Sequence, residues 1–427
     1  MDQVISGMVP RRLERVARDL MAVEPVLILQ GPRTVGKSTL LAALASSSGR
    51  EVIDLDDPPT REAVKDDLER FIGGDPPVFI DEFQHVPEVL DAIKAELNRD
   101  LRPGRFVITG STNYATIPGA ARRLTGRSHR LDVLPLSQGE IAGTHERFVE
   151  ALIENPASLI TSSSSHTNRE DYIRRAIAGG FPIPLSRRGP ARARWFDEYV
   201  ELVVERDVLE LSRVRQRQLL PRLLRQLASQ TGQVLNIASA AAAIGMGPST
   251  AEDYAKLLEA VFLIRRLPAW GTTVGSRVAA APKVHVVDSG LTARLLRLTE
   301  TKLAAASASA LTEFGHLLET FAVGELCKQI GWSEETLIVG HWRTRDEDEV
   351  DLVLEREDGR VVAVEVMSGT RPRGKKLSGL TKLRSRLGSR FLGGVVLYLG
   401  RRSYTIDGAI HVLPLDRLWL ASARTRA

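Results

Sequence analysis

The stretch Gly31-Pro32-Arg33-Thr34-Val35-Gly36-Lys37-Ser38 matches the pattern G-x-x-x-x-G-K-[ST] at every fixed position. An apolar run of strand length, Val26 to Leu29, precedes it, and a segment of helix length, Lys37 to Ala45, follows it. In such a loop the glycines allow backbone N–H groups to converge on phosphate oxygens, and the N-terminus of the following helix adds a positive dipole. The stretch therefore predicts a phosphate-binding loop between a strand and a helix.

Individual positions of this loop have expected roles toward ATP and Mg²⁺. Lys37 is expected to reach the β- and γ-phosphates as a catalytic residue, and the Ser38 hydroxyl is expected to bind Mg²⁺. The other positions that we expect to contact the nucleotide are Gly31, Pro32, Arg33, Thr34, Val35, Gly36 and Thr39. The sequence thus predicts ATP and Mg²⁺ as cofactors.

A second apolar run, Val78 to Ile80, leads directly into two carboxylates, Asp81 and Glu82. Ligands bind at the carboxyl ends of the strands in open α/β sheets, so both acids are expected close to the nucleotide. We expect Asp81 to hold Mg²⁺, directly or through water, and Glu82 to orient or activate the attacking water. The presence of both acids favours hydrolysis over nucleotide binding alone.

Further candidates for the same site follow along the chain. The run Phe106 to Thr109 leads to Ser111, which is the favoured sensor of the γ-phosphate, with Thr109 as the second choice. Arg127 offers a fixed cation that could neutralise transition-state charge, either within the chain or across a subunit interface. The alternative for Arg127 is a solvated arginine that precedes a strand.

The pattern of apolar residues divides the chain into three parts. Short apolar strands that alternate with helical segments predict a parallel, doubly wound α/β sheet over residues 1–145. Residues 170–275 are nearly all helical, and two helices around a turn at Gly245, followed by the strand-like Val261 to Leu267, indicate a winged helix-turn-helix. Residues 280–427 combine a helical segment, Leu311 to Ile330, with strand-like runs and predict a mixed α/β domain.

Composition narrows the class of protein. With 427 residues, of which 43% are hydrophobic and 26% charged, the chain cannot be fibrous or wholly disordered. The net charge of +5 is too small to name a partner, and the single cysteine, Cys327, excludes an internal disulfide framework. No secretory signal and no apolar run of about 18 residues is visible, which predicts a cytoplasmic protein without membrane contact.

These motifs together resemble the AAA-type ATPases of bacteria and archaea that carry an uncharacterised C-terminal domain of restriction-endonuclease-like fold. The resemblance covers nearly the whole chain. Besides the phosphate loop, the matching motifs are Val78 to Gln84, Thr109-Gly110-Ser111, Leu124 to Arg127, Leu134 to Ser137, Gly179 to Pro182, Glu205-Arg206-Asp207, Pro282-Lys283, Asp288-Ser289-Gly290 and Glu349 to Val353. It implies ATPase activity without naming a substrate, and analogy with AAA-type proteins implies that the chain could form homo-oligomers.

In the third part, Glu319, Asp351 and Glu365 resemble the metal site of restriction-type nucleases. In those enzymes the carboxylates hold Mg²⁺ and a lysine helps to polarise the attacking water. Met367 stands at the position of that lysine, and a thioether is a poor partner for a hard cation. We therefore expect a degenerate site in a fold retained for binding or assembly, although Lys375 or Lys376 could substitute.

Two segments are candidates for DNA contact. The basic stretch from Arg371 to Arg402 holds ten Lys or Arg residues and no acid, as phosphate-backbone binding would require; the alternative is a solvated face. The candidate recognition helix, Pro248 to Ala260, carries early acids and one lysine, so a structural role is favoured for it. Arginines between Arg213 and Arg225 would favour DNA contact if they share its face.

The sequence therefore favours a nucleotide-driven switch or motor that hydrolyses ATP and acts on nucleic acid. One alternative is an ATP-dependent regulator of a protein partner without nucleic-acid contact. A second alternative is an ATP-coupled nuclease, which Met367 disfavours.

Overall fold

The structure is a computed structural model that describes residues 7–116, 123–211, 216–271, 280–344, 346–372 and 375–420. Two large sheets lie near the two ends of the chain, and a mostly helical region with a small sheet lies between them. No helix within the described ranges is both long enough and apolar enough to span a membrane. Arg213, Arg215 and Arg373 lie outside the described residues, as do the side chains of Lys375 and Lys376.

The first region contains a five-stranded parallel sheet in the order β2-β3-β4-β1-β5. The strands are β1 Val26–Gln30, β2 Val52–Asp54, β3 Val78–Asp81, β4 Phe106–Gly110 and β5 Ser128–Asp132. The helices are α1 Leu13–Met21, α2 Lys37–Ser47, α3 Pro58–Asp66, α4 Leu68–Ile72 and α5 Val89–Arg99. The predicted parallel α/β sheet is confirmed.

The apolar run of β1 is continuous because both faces of the sheet are covered. Leu27 and Leu29 belong to the same buried cluster as Leu40 of α2, whereas Val26 and Ile28 belong to a second cluster with α5. Successive side chains of a strand point to opposite faces, so a strand buried on both sides carries no polar alternation. This arrangement holds the end of β1, and with it the phosphate-binding loop, in a rigid sheet.

The middle region is helical and ends in a three-stranded antiparallel sheet in the order β6-β8-β7. The strands are β6 Gln233–Val234, β7 Ile264–Leu267 and β8 Lys283–Val286. The helices are α6 Gln138–Ala142, α7 Phe148–Glu154, α8 Arg169–Ala178, α9 Pro182–Leu185, α10 Gly189–Leu202, α11 Val208–Leu211, α12 Leu220–Ser229, α13 Ile237–Ala242 and α14 Pro248–Ala260, with a π-helical turn at Val203–Asp207. Strand β8 pairs with the middle region, although we expected residues from 280 onward to belong to the third domain.

The third region contains a mixed six-stranded sheet in the order β13-β14-β12-β11-β10-β9. The strands are β9 Leu337–Arg343, β10 Glu349–Arg356, β11 Val361–Val366, β12 Phe391–Tyr398, β13 Tyr404–Ile406 and β14 Ile410–Pro414. The helices are α15 Ser289–Leu295, α16 Glu300–Ala304, α17 Ala308–Ile330 and α18 Lys375–Leu387. The predicted mixed α/β domain is confirmed.

Helix α17 joins the third region to the segment that follows β5. Glu325 on this helix accepts a hydrogen bond from the backbone N–H of Gln138 at 2.7 Å, and the Nζ of Lys328 donates to the carbonyl of Leu136 at 3.0 Å. Both side chains are buried, and they also pair with each other at 2.6 Å. The residues that follow β5 are therefore fixed to the long helix of the third region.

Candidate functional site

The phosphate-binding loop lies at the carboxyl end of β1, between the strand and α2. Gly31 has φ +150° and Gly36 has φ +95°, conformations that favour glycine. A Cβ atom on Gly31 would lie 2.2 Å from the carbonyl oxygen of Val133. Helix α2 begins at Lys37 after a glycine that has no side chain to cap it, which leaves its first N–H groups directed toward the loop.

We expect Gly31→Ala to abolish nucleotide binding, because the methyl group cannot be accommodated against a backbone oxygen without displacing the loop. Titration with a fluorescent ATP analogue measures this loss. Gly49→Ala is the matched control, since Gly49 also has a positive φ, +65°, but has nothing within 4 Å of the added atom. Unchanged nucleotide affinity in a folded Gly31→Ala variant would contradict this account of the loop.

Lys37 is buried inside the loop. Its Nζ donates to the carbonyl oxygens of Gly31 at 3.1 Å and Pro32 at 2.8 Å. Burial lowers the pKa of Lys37, and the negative charge of Glu82 is the largest influence in the opposite direction. Burial disfavours the charged form of Lys37, and the negative charge of a bound phosphate would favour that form again. The position therefore suits a lysine that contacts an anion.

The acids after β3 lie beside the end of β4. Asp81 accepts hydrogen bonds from the hydroxyl of Thr109 and from the N–H of Glu82, the latter at 3.1 Å. The Nε2 of Gln84 donates to the carboxylate of Glu82 and, at 3.1 Å, to the hydroxyl of Ser111. The structure thus brings the predicted residues of both strand ends together. Gln84 was not predicted, because its contact depends on the neighbouring strand.

A cleft of about 510 Å³ connects the loop with one of these acids. Its polar wall contains Glu82 and the loop residues from Thr34 to Thr39, and its apolar wall contains Val9 and Ile183. The cleft therefore combines a phosphate-binding end with an apolar surface of the kind that a base or sugar ring can contact.

Two arginines connect the loop with residues far away in sequence. Arg33 turns to the middle region, where its Nε lies 2.7 Å from both carboxylate oxygens of Asp207 in the π-helical turn. Arg11 donates to the carbonyl of Val35 at 2.5 Å and pairs with Glu140 at 3.0 Å. Arg33 was predicted to contact the nucleotide, whereas here it pairs with Asp207. Arg11 was not predicted, because no motif marks it.

Arg127 lies at the opposite edge of the sheet. Its Nη1 donates to the side chain of Asn98 at 2.6 Å. The next residue, Ser128, pairs with Val26 at the start of β1, so the loop lies one strand length away, about 13 Å at ~3.3 Å per residue. The structure does not bring Arg127 to the phosphate site of its own chain, and action across a subunit interface stays a prediction.

In the third region, Glu319 and Asp351 lie together as predicted. Glu349 is the third member of this group, and one carboxylate oxygen of each residue lies within 4.8 Å of the others. Glu365 is buried in the neighbouring strand β11 and is not part of the group. Strand β11 contributes instead the N–H of Val366, which donates to Asp351 at 2.9 Å.

A lysine from the middle region lies among these carboxylates. The Nζ of Lys283 contacts Glu319 at 2.6 Å and Asp351 at 2.9 Å, and it also pairs closely with Glu349. The sequence has Met367 where the restriction-type nucleases have their lysine, and Lys375 or Lys376 was the expected substitute, whereas Lys283 stood out only as part of the family motif Pro282-Lys283. The contact depends on how two regions pack, which no local pattern indicates.

Ion pairs neutralise part of the basic stretch from Arg371 to Arg402. Lys382 pairs with Asp348, Arg384 with Asp407 and Arg390 with Glu355. Arg371, Arg386, Arg401 and Arg402 are exposed. On the candidate recognition helix α14, Lys256 lies 3.6 Å from Asp253 of the same helix, which agrees with the expectation of a surface poor in groups for DNA contact.

Comparison with known proteins supports the interpretation of the first region. Residues 23–142 match the family model described as an AAA domain. Residues 169–302 and 314–418 match two models described as domains of unknown function, DUF8612 and DUF4143. The first region is thus similar to an AAA domain, which supports ATP binding there, while the restriction-endonuclease-like fold of the third region stays a prediction.

Whole-chain relatives carry no assigned activity. The chain is 25% identical over 418 residues to the uncharacterized proteins Rv2008c of Mycobacterium tuberculosis and Mb2031c of Mycobacterium bovis, covering 97% of this chain and 86% of each relative. A Walker-type ATPase of Pyrococcus abyssi is 14% identical with a TM-score of 0.41, over 68% of this chain and 96% of that one. The RuvB Holliday junction branch migration motor of Thermotoga maritima is 16% identical with a TM-score of 0.29, over 60% and 88%.

Proposed function

We propose that the chain is a Mg²⁺-dependent ATP hydrolase whose chemistry takes place in the cleft between the phosphate-binding loop and the end of β3. The observation that carries the proposal is the shared lining of this cleft, in which Lys37, Ser38 and Glu82 face the same space. A loop lysine, a hydroxyl ligand and a carboxylate are the groups that phosphoryl transfer to water requires.

Each of these residues has a defined part in the proposed reaction. Lys37 leaves the carbonyls of its own loop and binds the β- and γ-phosphate oxygens. Ser38 and Asp81 would hold Mg²⁺, which would supply positive charge to the phosphates. Glu82 orients the water that attacks the γ-phosphorus and accepts its proton, the bond to the bridging oxygen breaks, and ADP leaves. Gln84 positions Glu82 and connects it with Ser111.

Phosphate release with and without Mg²⁺ tests the proposal. We expect wild type to hydrolyse ATP in Mg²⁺ and to stop in EDTA. We expect Lys37→Ala to lower kcat/KM by at least about 100-fold, because it removes a cation that stabilises the transition state. Lys94→Ala, which removes an exposed lysine of α5, is the matched control. Equal rates for wild type and Lys37→Ala would refute the assignment.

We further propose that the ATPase acts on nucleic acid through the third region. Arg401 and Arg402 follow the carboxyl end of β12 and line an open cleft of about 580 Å³ together with Arg169 and Thr370. Arg401 and Arg402 are exposed, whereas Arg169 is half-buried, and exposed arginines beside a cleft suit contact with phosphate groups. The order α12, β6, α13, α14, β7, β8 in the middle region supports the predicted winged helix, although the early acids and single lysine of α14 favour a structural role for that helix.

The dependence of DNA affinity on salt tests this second proposal. Each DNA phosphate that the protein no longer neutralises makes the plot of log affinity against log salt less steep by about 0.9 units. We therefore expect Arg401→Glu/Arg402→Glu to flatten the plot by about two units. Arg99→Glu/Arg102→Glu changes the net charge equally on exposed residues of the first region and should not flatten it. No DNA binding by wild type at low salt would favour the protein-partner alternative.

A further inference from the structure

Lys283 is a fully buried lysine whose three acidic partners all come from another region. It begins strand β8 of the middle sheet, whereas Glu319 lies on α17 and Glu349 and Asp351 lie on β10. The three acids place one carboxylate oxygen each within 4.8 Å of the others, and the ammonium nitrogen contacts all three residues. The nitrogen therefore occupies the centre of the group, where a single cation would be coordinated.

The charges within this group do not cancel. One ammonium faces three carboxylates, which leaves two negative charges in excess, although Glu349 is partly exposed to solvent. Burial alone would lower the pKa of Lys283, but Asp351, Glu319 and Glu349 together raise that pKa well above its usual value. A divalent cation would compensate one more charge than Lys283 does. Asp and Glu oxygens are also the ligands that Mg²⁺ and Mn²⁺ prefer.

Asp351 is held in place by contacts that do not involve Lys283. The second oxygen of Asp351 accepts a hydrogen bond from Val366 at 2.9 Å, and Asp351 lies within a bulge of β10 between Val350 and Val353. Asp351 would therefore keep its orientation if the lysine withdrew.

The buried imidazole of His341 lies next to the group. His341 is 1% exposed, and its Nδ1 has no hydrogen-bond partner among the described residues. Burial and the charge of Lys283 lower the pKa of His341 to about 4, while Glu349 and Asp351 act in the opposite direction. The imidazole ring is therefore neutral at physiological pH. It lies close enough to Lys283, Glu349 and Asp351 for their charges to change its pKa. The Nδ1 of His341, whether it carries a lone pair or a proton, has no hydrogen-bond partner among the described residues.

We propose that Lys283 is a tethered cation that closes a divalent-metal site formed by Glu319, Glu349 and Asp351. With β8 in place, the ammonium excludes a metal ion from the centre of the group. When β8 withdraws, the same oxygens bind Mg²⁺ or Mn²⁺. Metal binding in the third region is thereby coupled to the position of the middle sheet. The inference does not rest on the proposed ATPase or DNA-binding functions.

Binding of Mn²⁺ without nucleotide, followed by electron paramagnetic resonance, tests the inference. We expect Lys283→Met, which removes the charge but keeps the length of the side chain, to bind one Mn²⁺ at least about tenfold more tightly than wild type. Lys283→Met/Asp351→Asn should lose that site. Lys256→Met, a substitution of an exposed lysine on α14, should behave as wild type.

The experiment tests the inference whether or not Lys283→Met folds in the presence of a chelator. If Lys283→Met folds in chelator, failure to gain the Mn²⁺ site overturns the inference, as does equally tight binding by wild type. If the variant is unfolded in chelator, refolding on addition of Mn²⁺ supports the inference, because the metal then replaces the missing ammonium. Failure of Mn²⁺ to restore folding would show that the group is only an interdomain ion pair.

Discussion

Replacing Glu82 with glutamine is expected to lower the kcat of ATP hydrolysis by about 10²–10⁴-fold while ATP binding is retained. Glutamine keeps the shape of the side chain and the contact with Gln84, but its amide cannot accept a proton from water. Glu82 lines the cleft beside the loop, and its φ of +51° directs a carboxylate from the end of β3 into this space. The change therefore removes chemistry and leaves the phosphate-binding groups intact.

Single-turnover phosphate release and separate measurement of ATP affinity distinguish these effects. Gln84→Ala should lower kcat less than Glu82→Gln does, with ATP affinity unchanged, because Gln84 acts through the carboxylate that it positions. Glu88→Gln, which alters an exposed carboxylate a few residues away, is the matched control and should retain full activity. A Glu82→Gln variant with wild-type kcat would remove Glu82 from the mechanism.

The second large effect is expected at the ion pair between the loop and the middle region. Asp207→Ala leaves the Arg33 guanidinium without its carboxylate in a place where the two side chains are only 11% and 2% exposed. Breaking a buried pair on one side costs about 3–5 kcal/mol, because the remaining charge stays desolvated. We expect Asp207→Ala to lower the free energy of unfolding of the ATPase region by this amount, as measured by urea denaturation.

A double-mutant cycle isolates this interaction. Arg33→Ala/Asp207→Ala should be less destabilised than the sum of the two single changes, because the double variant buries no uncompensated charge. Asp197→Ala removes the partner of Arg294 in an exposed pair and should cost only about 0–1 kcal/mol. Additive effects at Arg33 and Asp207 would mean that the pair does not couple the two regions.

Local signals in the sequence were sufficient for the loop and for the strands that surround it. The loop pattern, the run Val78 to Ile80 and the run Phe106 to Thr109 each combine a strand with its functional end in one short segment. In a parallel sheet such ends meet at one edge, so the meeting of Asp81 with Thr109 followed from the fold class.

Features that depend on sheet order or on packing between regions were not predictable in this way. The distance of Arg127 from the loop follows from the register of β5 against β1, which its motif does not encode. Lys283 joins Glu319 and Glu349 because β8 packs on the third region, and Arg33 turns from the nucleotide because the π-helical turn supplies a carboxylate. These contacts connect residues more than 30 positions apart.

Helix α17 also limits how the regions can move. The helix is continuous from Ala308 to Ile330. Glu319 and Glu325 lie six residues apart on it, about 9 Å at ~1.5 Å per residue. At one end of this interval Glu319 pairs with Lys283 of the middle sheet. At the other end Glu325 accepts a hydrogen bond from the N–H of Gln138, which follows the ATPase sheet. We therefore expect any rotation of α17 away from Lys283 to disturb the hydrogen bond to Gln138 as well, because one helix carries both contacts.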